Sequence, residues 1–287
     1  MRRCVLFVPA ARPDRFEKAV ATGVDAVCVD LEDGVAFAQK DVARDHAMSL
    51  LESGPSGRTE VILRINEPGT DLGERDVDAL VRAGVRPDAL MVPKVGEADT
   101  LLALEARLGS SLANLPLVVQ IETARGLANV NSIATASSNV AVVFFGAVDL
   151  SAELGCVIEW DALLYARSRV VAAAALAGVD AMDTPFMDVR AHERLETEAQ
   201  ATQRLGFTGK AAIHPTQVPI IQSAYSPSTE TVAWATKILQ AYEANEGGVL
   251  LVDGKLVERP VIASAQRILR VAAAVETAHS APVPPAD

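Results

Sequence analysis

Residues 117 to 146 read LVVQIETARGLANVNSIATASSNVAVVFFG, and this stretch decides the fold. Two short runs rich in β-branched and apolar residues, LVVQIE (117 to 122) and VAVVFFG (140 to 146), flank a segment of helical length. Strands buried on both faces read this way, as in a parallel sheet covered by helices. Toward the N-terminus the same pattern recurs in CVLFVP (4 to 9), AVCVDLE (26 to 32), VILRIN (61 to 66) and ALMVPK (89 to 94). Toward the C-terminus it recurs in DAMDTPF (180 to 186) and KAAIHP (210 to 215). Helix signals lie between, such as RPDRFEKAVATG with Pro13 near its start and Gly23 after its end, and DVDALVRAG closing at Gly84. Eight strands alternating with helices predict an α/β fold of the (β/α)8 TIM-barrel type. An open doubly wound sheet is the alternative, but it calls for a G-x-G-x-x-G after the first strand, and none is there.

Composition agrees. At 287 residues, one large core over residues 1–222 is expected. Residues 223–279 are read as C-terminal helices with a lid segment that packs on the barrel or on a neighbouring subunit, and 280–287 as a disordered tail. The piece from Gly247 to Pro260 holds two strand-like halves around Asp253-Gly254, a hairpin signal in an appended lid. Half the residues are apolar and few are aromatic, so Val, Ile, Leu and Ala build the core. A net charge of -11 with no Lys/Arg cluster argues against nucleic acid as a partner. The longest apolar run, 170 to 179, is too short to span a membrane. Cys4, Cys28 and Cys156 have no metal spacing and read as inert buried thiols of a cytoplasmic protein.

A strand buried on both faces has no reason to end in a charge, yet nearly every one here does. Strand two ends in Asp30, Glu32 and Asp33, strand three in Arg64, strand four in Lys94 and strand five in Glu122. Strand six runs into Asp149, strand seven carries Asp183 and strand eight His214. In a barrel such ends converge on the mouth where active sites of this fold lie. Two readings stand for Glu122 and Asp149. They hold Mg2+ through oxygen-only ligation, or each caps the following helix or pairs with an arginine. Arg64 is the anion clamp, or it is an ion pair with Asp30 or Glu32. Those two carboxylates lie on one side of an extended strand, where they receive metal-bound waters, orient Arg64, or act as an acidic cluster at a helix N-terminus. Lys94 pairs with a mouth carboxylate or is a Schiff-base nucleophile. His214 is a site residue or a packed, backbone-bonded histidine, and Asp183 is a member of the mouth or an internal ion pair.

Several longer motifs then fall into one order: VPAARPDRFEKA, VDLEDGV followed by Lys40, Ala43 and Arg44, LRIN, VPKV, IETARGLANV, FGAVDLSAELG, MDTPF and GFTGKAAIHPTQV. Over about residues 3 to 262 the chain resembles the citrate lyase β subunit and malyl-CoA lyase family. The resemblance implies a Mg2+-dependent carbon–carbon lyase that cleaves or forms a 3-hydroxyacyl-CoA thioester such as citryl-, malyl- or citramalyl-CoA. It implies Glu122 and Asp149 as metal ligands, Arg64 as binder of the substrate carboxylate, and Phe7, Arg12 and Lys18 as contacts for the CoA or acyl portion. Ile213 and His214 fall where the family's backbone meets the thioester arm. The family's lid carries an Asp in a motif like G-K-M-I-D; here the stretch is Gly254-Lys255-Leu256-Val257-Glu258, so Glu258 stands where that acid/base would be, one methylene longer. A lid acting in a neighbouring active site implies a homotrimer or higher homo-oligomer. Two alternatives remain: the citryl-acyl-carrier-protein β subunit of a citrate lyase complex, and a catalytically weak CoA-binding regulatory barrel.

Overall fold

The computed structural model describes residues 2–55, 57, 59–245 and 250–279. Residues Arg2–Gln222 make one compact unit, and the other begins at Ser223.

In the first unit eight strands form a closed barrel in sequence order: β1 (Cys4–Pro9), β2 (Ala26–Asp30), β3 (Glu60–Arg64), β4 (Ala89–Val92), β5 (Leu117–Ile121), β6 (Val140–Phe145), β7 (Asp180–Asp183) and β8 (Gly209–Ala212). Every pairing is parallel, and the barrel closes where Cys4, Val5 and Leu6 register with Lys210, Ala211 and Ala212. The fold class read from the sequence is the one found. Several strands stop short of their predicted ends, because Glu32, Asn66, Lys94, Glu122 and His214 lie past the last paired residue, where the chain leaves the ladder and bends over the mouth.

Helices follow the strands with local signals that fix their ends. Helix Asp71–Ala83 starts at Thr70, whose side chain accepts from the Gly73 amide at 3.2 Å, and stops at Gly84, which adopts the left-handed conformation (φ 65°) that a Cβ disfavours. Helix Ala147–Leu154 begins directly after β6, so Asp149 sits in its first turn.

The barrel interior is packed by Val5, Ala26, Cys28, Ile62, Ala89, Met91, Val118, Val142, Phe144, Met182 and Ala211. Strand residues alternate faces, so their neighbours, such as Val27, Leu63, Leu90 and Val143, turn outward to the helices and are fully buried there. Burial pushes the Cys4 and Cys28 thiols up, which keeps them protonated and inert. Cys156 departs from the expectation: it lies in the loop after helix Ala147–Leu154 and is partly exposed.

The second unit contains helices Thr229–Glu243 and Arg259–His279 and the antiparallel pair β9 (Leu251–Val252) and β10 (Lys255–Leu256). Ala235, Ile238, Val252, Val257, Ile262 and Ala265 form its core. The expected turn is present, with positive φ at Asp253 (51°) and Gly254 (73°), as a two-residue hairpin with right-handed strand twist requires. Of the lid segment, residues 246–249 lie outside the described residues, as does the expected tail from 280 to 287. Among the described residues no helix is long and apolar enough to cross a membrane.

Candidate active site

The period of two along each strand sets which side chains reach the mouth. Above Val5 on the interior face comes Phe7, above Cys28 comes Asp30, above Ile62 comes Arg64, and above Val118 comes Gln120. The apolar interior thus ends in a layer that is partly charged. Over it opens a cavity of about 690 Å3 in which Phe7, Arg12, Lys18, Asp30, Arg64, Glu122, Asp149, Ile213 and His214 all take part. These are nine of the eleven candidate residues; Glu32 stands directly behind them, and Glu258 belongs to the second unit.

Arg64 is the hub of the layer. Its Nε and one terminal nitrogen donate to the two oxygens of Asp30 at 2.7 and 2.8 Å, its other terminal nitrogen lies 2.7 Å from Glu32, and its guanidinium sits 4.9 Å from the centre of the Phe7 ring. Burial works against its charge, but Asp30 and Glu32 outweigh burial and hold Arg64 protonated. Both readings of this arginine are therefore realised: it is paired, and it faces the cavity. Asp30 is fully occupied, since its oxygens also accept from the amides of Glu32 (2.8 Å) and Gly34 (2.9 Å). Its part is to aim Arg64 and fold the loop that follows. A Cβ on Gly34 would come within 2.5 Å of that carboxylate, so the loop's tight return depends on glycine. Lys40 secures it from outside, donating to the carbonyls of Leu31 (2.7 Å) and Glu32 (2.8 Å) and to Asn66 (2.7 Å).

Glu122 is 3% exposed. It accepts from the Lys94 amide at 2.8 Å and from the side-chain amide of Gln120, whose own oxygen is buried with no partner among the described residues. Burial, and after it the charge of Glu32, pushes Glu122 up to about 8. A Cβ on Gly146 would meet Glu122 at 2.5 Å, so the chain passes there only because that residue is glycine. The tightest group of carboxylates at the mouth is Glu32, Asp33 and Asp149, with oxygens within 4.8 Å of one another, and Glu122 is not one of them. The charge of Asp149 also pushes Glu122 up, though less than burial and Glu32 do. Lys94 places its ammonium 2.7 Å from Glu32 and 3.6 Å from Asp149. Burial opposes that charge, yet Glu32 holds Lys94 protonated, which denies the Schiff-base alternative its neutral amine.

At the rim, Arg12 forms an exposed pair with Asp14 (2.8 Å), and Arg15 and Lys18 also edge the cavity. His214 is exposed, not packed; its Nδ1 lies 2.8 Å from the Thr216 hydroxyl and caps the turn Pro215–Gln217. The Ile213 amide already donates to Gln217 at 2.9 Å. Asp183 does not join the mouth. Met182 takes the inward position on β7, so Asp183 points to the helices, where Lys210 (2.5 Å) and Arg167 (3.0 Å) bind it. Glu258 is exposed at the start of helix Arg259–His279, its carbonyl accepting from Val261 and Ile262. Sequence reading had no role for Asp33 or Gln120. A further step of the period of two from Val118 would have marked Gln120; nothing in the sequence marks Asp33's approach to Asp149.

The mouth therefore gathers five carboxylates, Asp30, Glu32, Asp33, Glu122 and Asp149, against two cations paired with them, Arg64 and Lys94, and a third, Lys40, behind the loop. A surplus of oxygen donors with no sulfur or imidazole among them suits a hard divalent cation.

Comparison with known proteins gives the family. The family model described as HpcH/HpaI aldolase/citrate lyase matches residues 3–215. The chain is 32% identical over 284 residues to the citrate lyase subunit beta of Leuconostoc mesenteroides subsp. cremoris, covering 95% of this chain and 93% of that one. It is 34% identical over 299 residues to the L-malyl-CoA/beta-methylmalyl-CoA lyase of Cereibacter sphaeroides, covering 94% of each. Its fold matches the crystal structure of protein CitE from Mycobacterium tuberculosis in complex with magnesium, acetoacetate and coenzyme A, with a TM-score of 0.80 and 35% identity over 95% of this chain and 98% of that one. The chain belongs to the HpcH/HpaI aldolase/citrate lyase family, and through it to the carbon–carbon lyases.

Proposed function

We propose that the chain cleaves, or in reverse forms, the bond between C2 and C3 of a 3-hydroxyacyl-CoA thioester of the citryl, malyl or citramalyl type, giving acetyl-CoA and a 2-oxo acid, with Mg2+ held by Glu122 and Asp149. One observation carries the reading: a cavity whose floor has more carboxylates than cations and whose rim is basic. The floor suits a divalent ion and the rim the phosphates of coenzyme A. When bound, Mg2+ supplies Lewis-acid polarisation of the oxygen on C3 and a chelating point for the neighbouring carboxylate.

In the cleavage direction the 3-hydroxyl gives its proton to a carboxylate of the mouth, the C2–C3 bond breaks, C3 becomes the carbonyl of the 2-oxo acid, and the bonding pair moves onto C2 as a thioester enolate that takes a proton from Glu258. Arg64, aimed by Asp30, presents fixed positive charge to the 2-oxo-acid half without having to reorganise. Gln120 and the Lys94 amide hold Glu122 in one orientation. Phe7, packed edge-on to Phe144 with centroids 6.2 Å apart, forms an apolar wall that excludes water beside Arg64. Arg12 and Lys18 receive the anionic arm, and Ile213 and His214 border its path. Glu258, at the foot of the hairpin β9–β10, supplies the carboxylic acid that gives its proton to C2 and is left as the carboxylate, working from a neighbouring subunit of a homotrimer or larger assembly.

The test is turnover of purified chain with each of the three thioesters and MgCl2, following acetyl-CoA and 2-oxo-acid release. Product from at least one, abolished by a chelator and by Asp149→Asn, is expected. No product from any of them would contradict the proposal, and undiminished turnover by Glu258→Ala would remove Glu258 from it.

A further inference from the structure

Among the described non-glycine residues three have a left-handed backbone: Asn114 (φ 59°), Asp253 (φ 51°) and Lys94 (φ 52°). Asn and Asp adopt that region readily because their short side chains bond to nearby backbone; lysine has no such help, so the surroundings must impose the conformation. What it achieves is contact with three acids from the two ends of one residue. The amide of Lys94 donates to Glu122 at 2.8 Å, while the ammonium lies 2.7 Å from Glu32 and 3.6 Å from Asp149. That ammonium contacts two of the three carboxylates whose oxygens cluster within 4.8 Å, a spacing at which oxygens surround one small cation.

We propose that Lys94 is a positioning residue that acts as the built-in counter-cation of the mouth: its ammonium holds Glu32 and Asp149 in place in the metal-free chain and gives up Asp149 when a divalent ion arrives. The inference rests on the Mg2+ reading above. The two contacts are unequal, and the long flexible stem lets the ammonium keep the shorter one, to Glu32, while releasing the longer. The consequence is a trade. Asp149 stays ordered without metal, and the fixed charge beside it weakens divalent binding, so the ion remains exchangeable.

Calorimetric titration with MgCl2 alone, without thioester and at low ionic strength, tests this on native chain, Lys94→Asn and Lys94→Arg. Asparagine tolerates the left-handed backbone, so the amide bond to Glu122 survives while the ammonium is lost; arginine keeps the charge. Lys94→Asn is expected to bind Mg2+ tighter, on the order of ten-fold, with the gap narrowing as salt is added, and Lys94→Arg to stay near native. In parallel, Lys94→Asn without metal should melt at a lower temperature than native chain and regain the difference in MgCl2. Should Lys94→Asn not fold, Lys94→Gln carries the same comparison. Equal or weaker Mg2+ binding by the neutral variant, with native binding intact, would overturn the role of Lys94 and leave the metal reading standing. No heat and no melting shift for native chain, with Asp149→Asn indistinguishable from it, would overturn both.

Discussion

Two clusters of charge, one on each face of the barrel wall, use the same chemistry and come to opposite ends. Between β7, β8 and their helices, Asp183 and Glu198 meet Lys210 and Arg167: Lys210 bridges the acids at 2.5 and 2.7 Å, and Arg167 holds Asp183 at 3.0 Å. Charge is balanced, and the residues other than Glu198 are nearly inaccessible. At the mouth, five carboxylates share Arg64 and Lys94, and Glu122 is pushed up to about 8 by burial and by Glu32. A balanced cluster has nothing left to offer a ligand. An unbalanced one stores unsatisfied negative charge, and that is what a cation and an arginine-bound substrate can use.

Breaking the balanced cluster should give the largest change in stability. Lys210→Met leaves the fully buried Asp183 and the partly exposed Glu198 on a single arginine and should cost about 3–5 kcal/mol of unfolding free energy in urea titration, while the folded remainder keeps its Mg2+ response. Breaking the mouth should cost function more than stability. Arg64→Lys replaces a guanidinium bonded to both oxygens of Asp30 by a point charge, so kcat/KM for the cleaved thioester should fall about 100-fold or more, while the retained charge keeps the drop in the urea midpoint smaller than that of Lys210→Met. The smallest effect sharpens the contrast at its edge. Asp33 is exposed, so its charge is screened, and Asp33→Asn should weaken Mg2+ binding by only about two- to three-fold in calorimetry.

The same contrast shows where the sequence was legible. Every strand was, because buried parallel strands are continuous runs of Val, Ile, Leu and Ala. Their C-terminal ends were overrun because Glu32, Lys94 and Glu122 continue the run in sequence but have left the ladder in space. A charge at a strand end marked Asp30, Arg64, Glu122 and Asp149, which line the cavity. It left Asp183 open between the mouth and an ion pair, because a charge at the end of a strand says nothing of which face it takes; Met182 occupies the interior position on β7, and Asp183 is turned outward, where Arg167 and Lys210 pair with it. The approach of Asp33 to Asp149 and the left-handed turn at Lys94 arise from loop paths, which hydrophobic periodicity does not encode.

The central claim is that the mouth is short of positive charge at Glu122. It is tested most directly by melting native chain and Glu122→Gln with and without millimolar MgCl2. Native chain should melt higher with MgCl2, whereas Glu122→Gln, which removes the buried ionisable group but keeps its shape, should melt at least as high as native without metal and show little response to it. A native chain indifferent to MgCl2, or a Glu122→Gln variant less stable than native yet still stabilised by the ion, would contradict it.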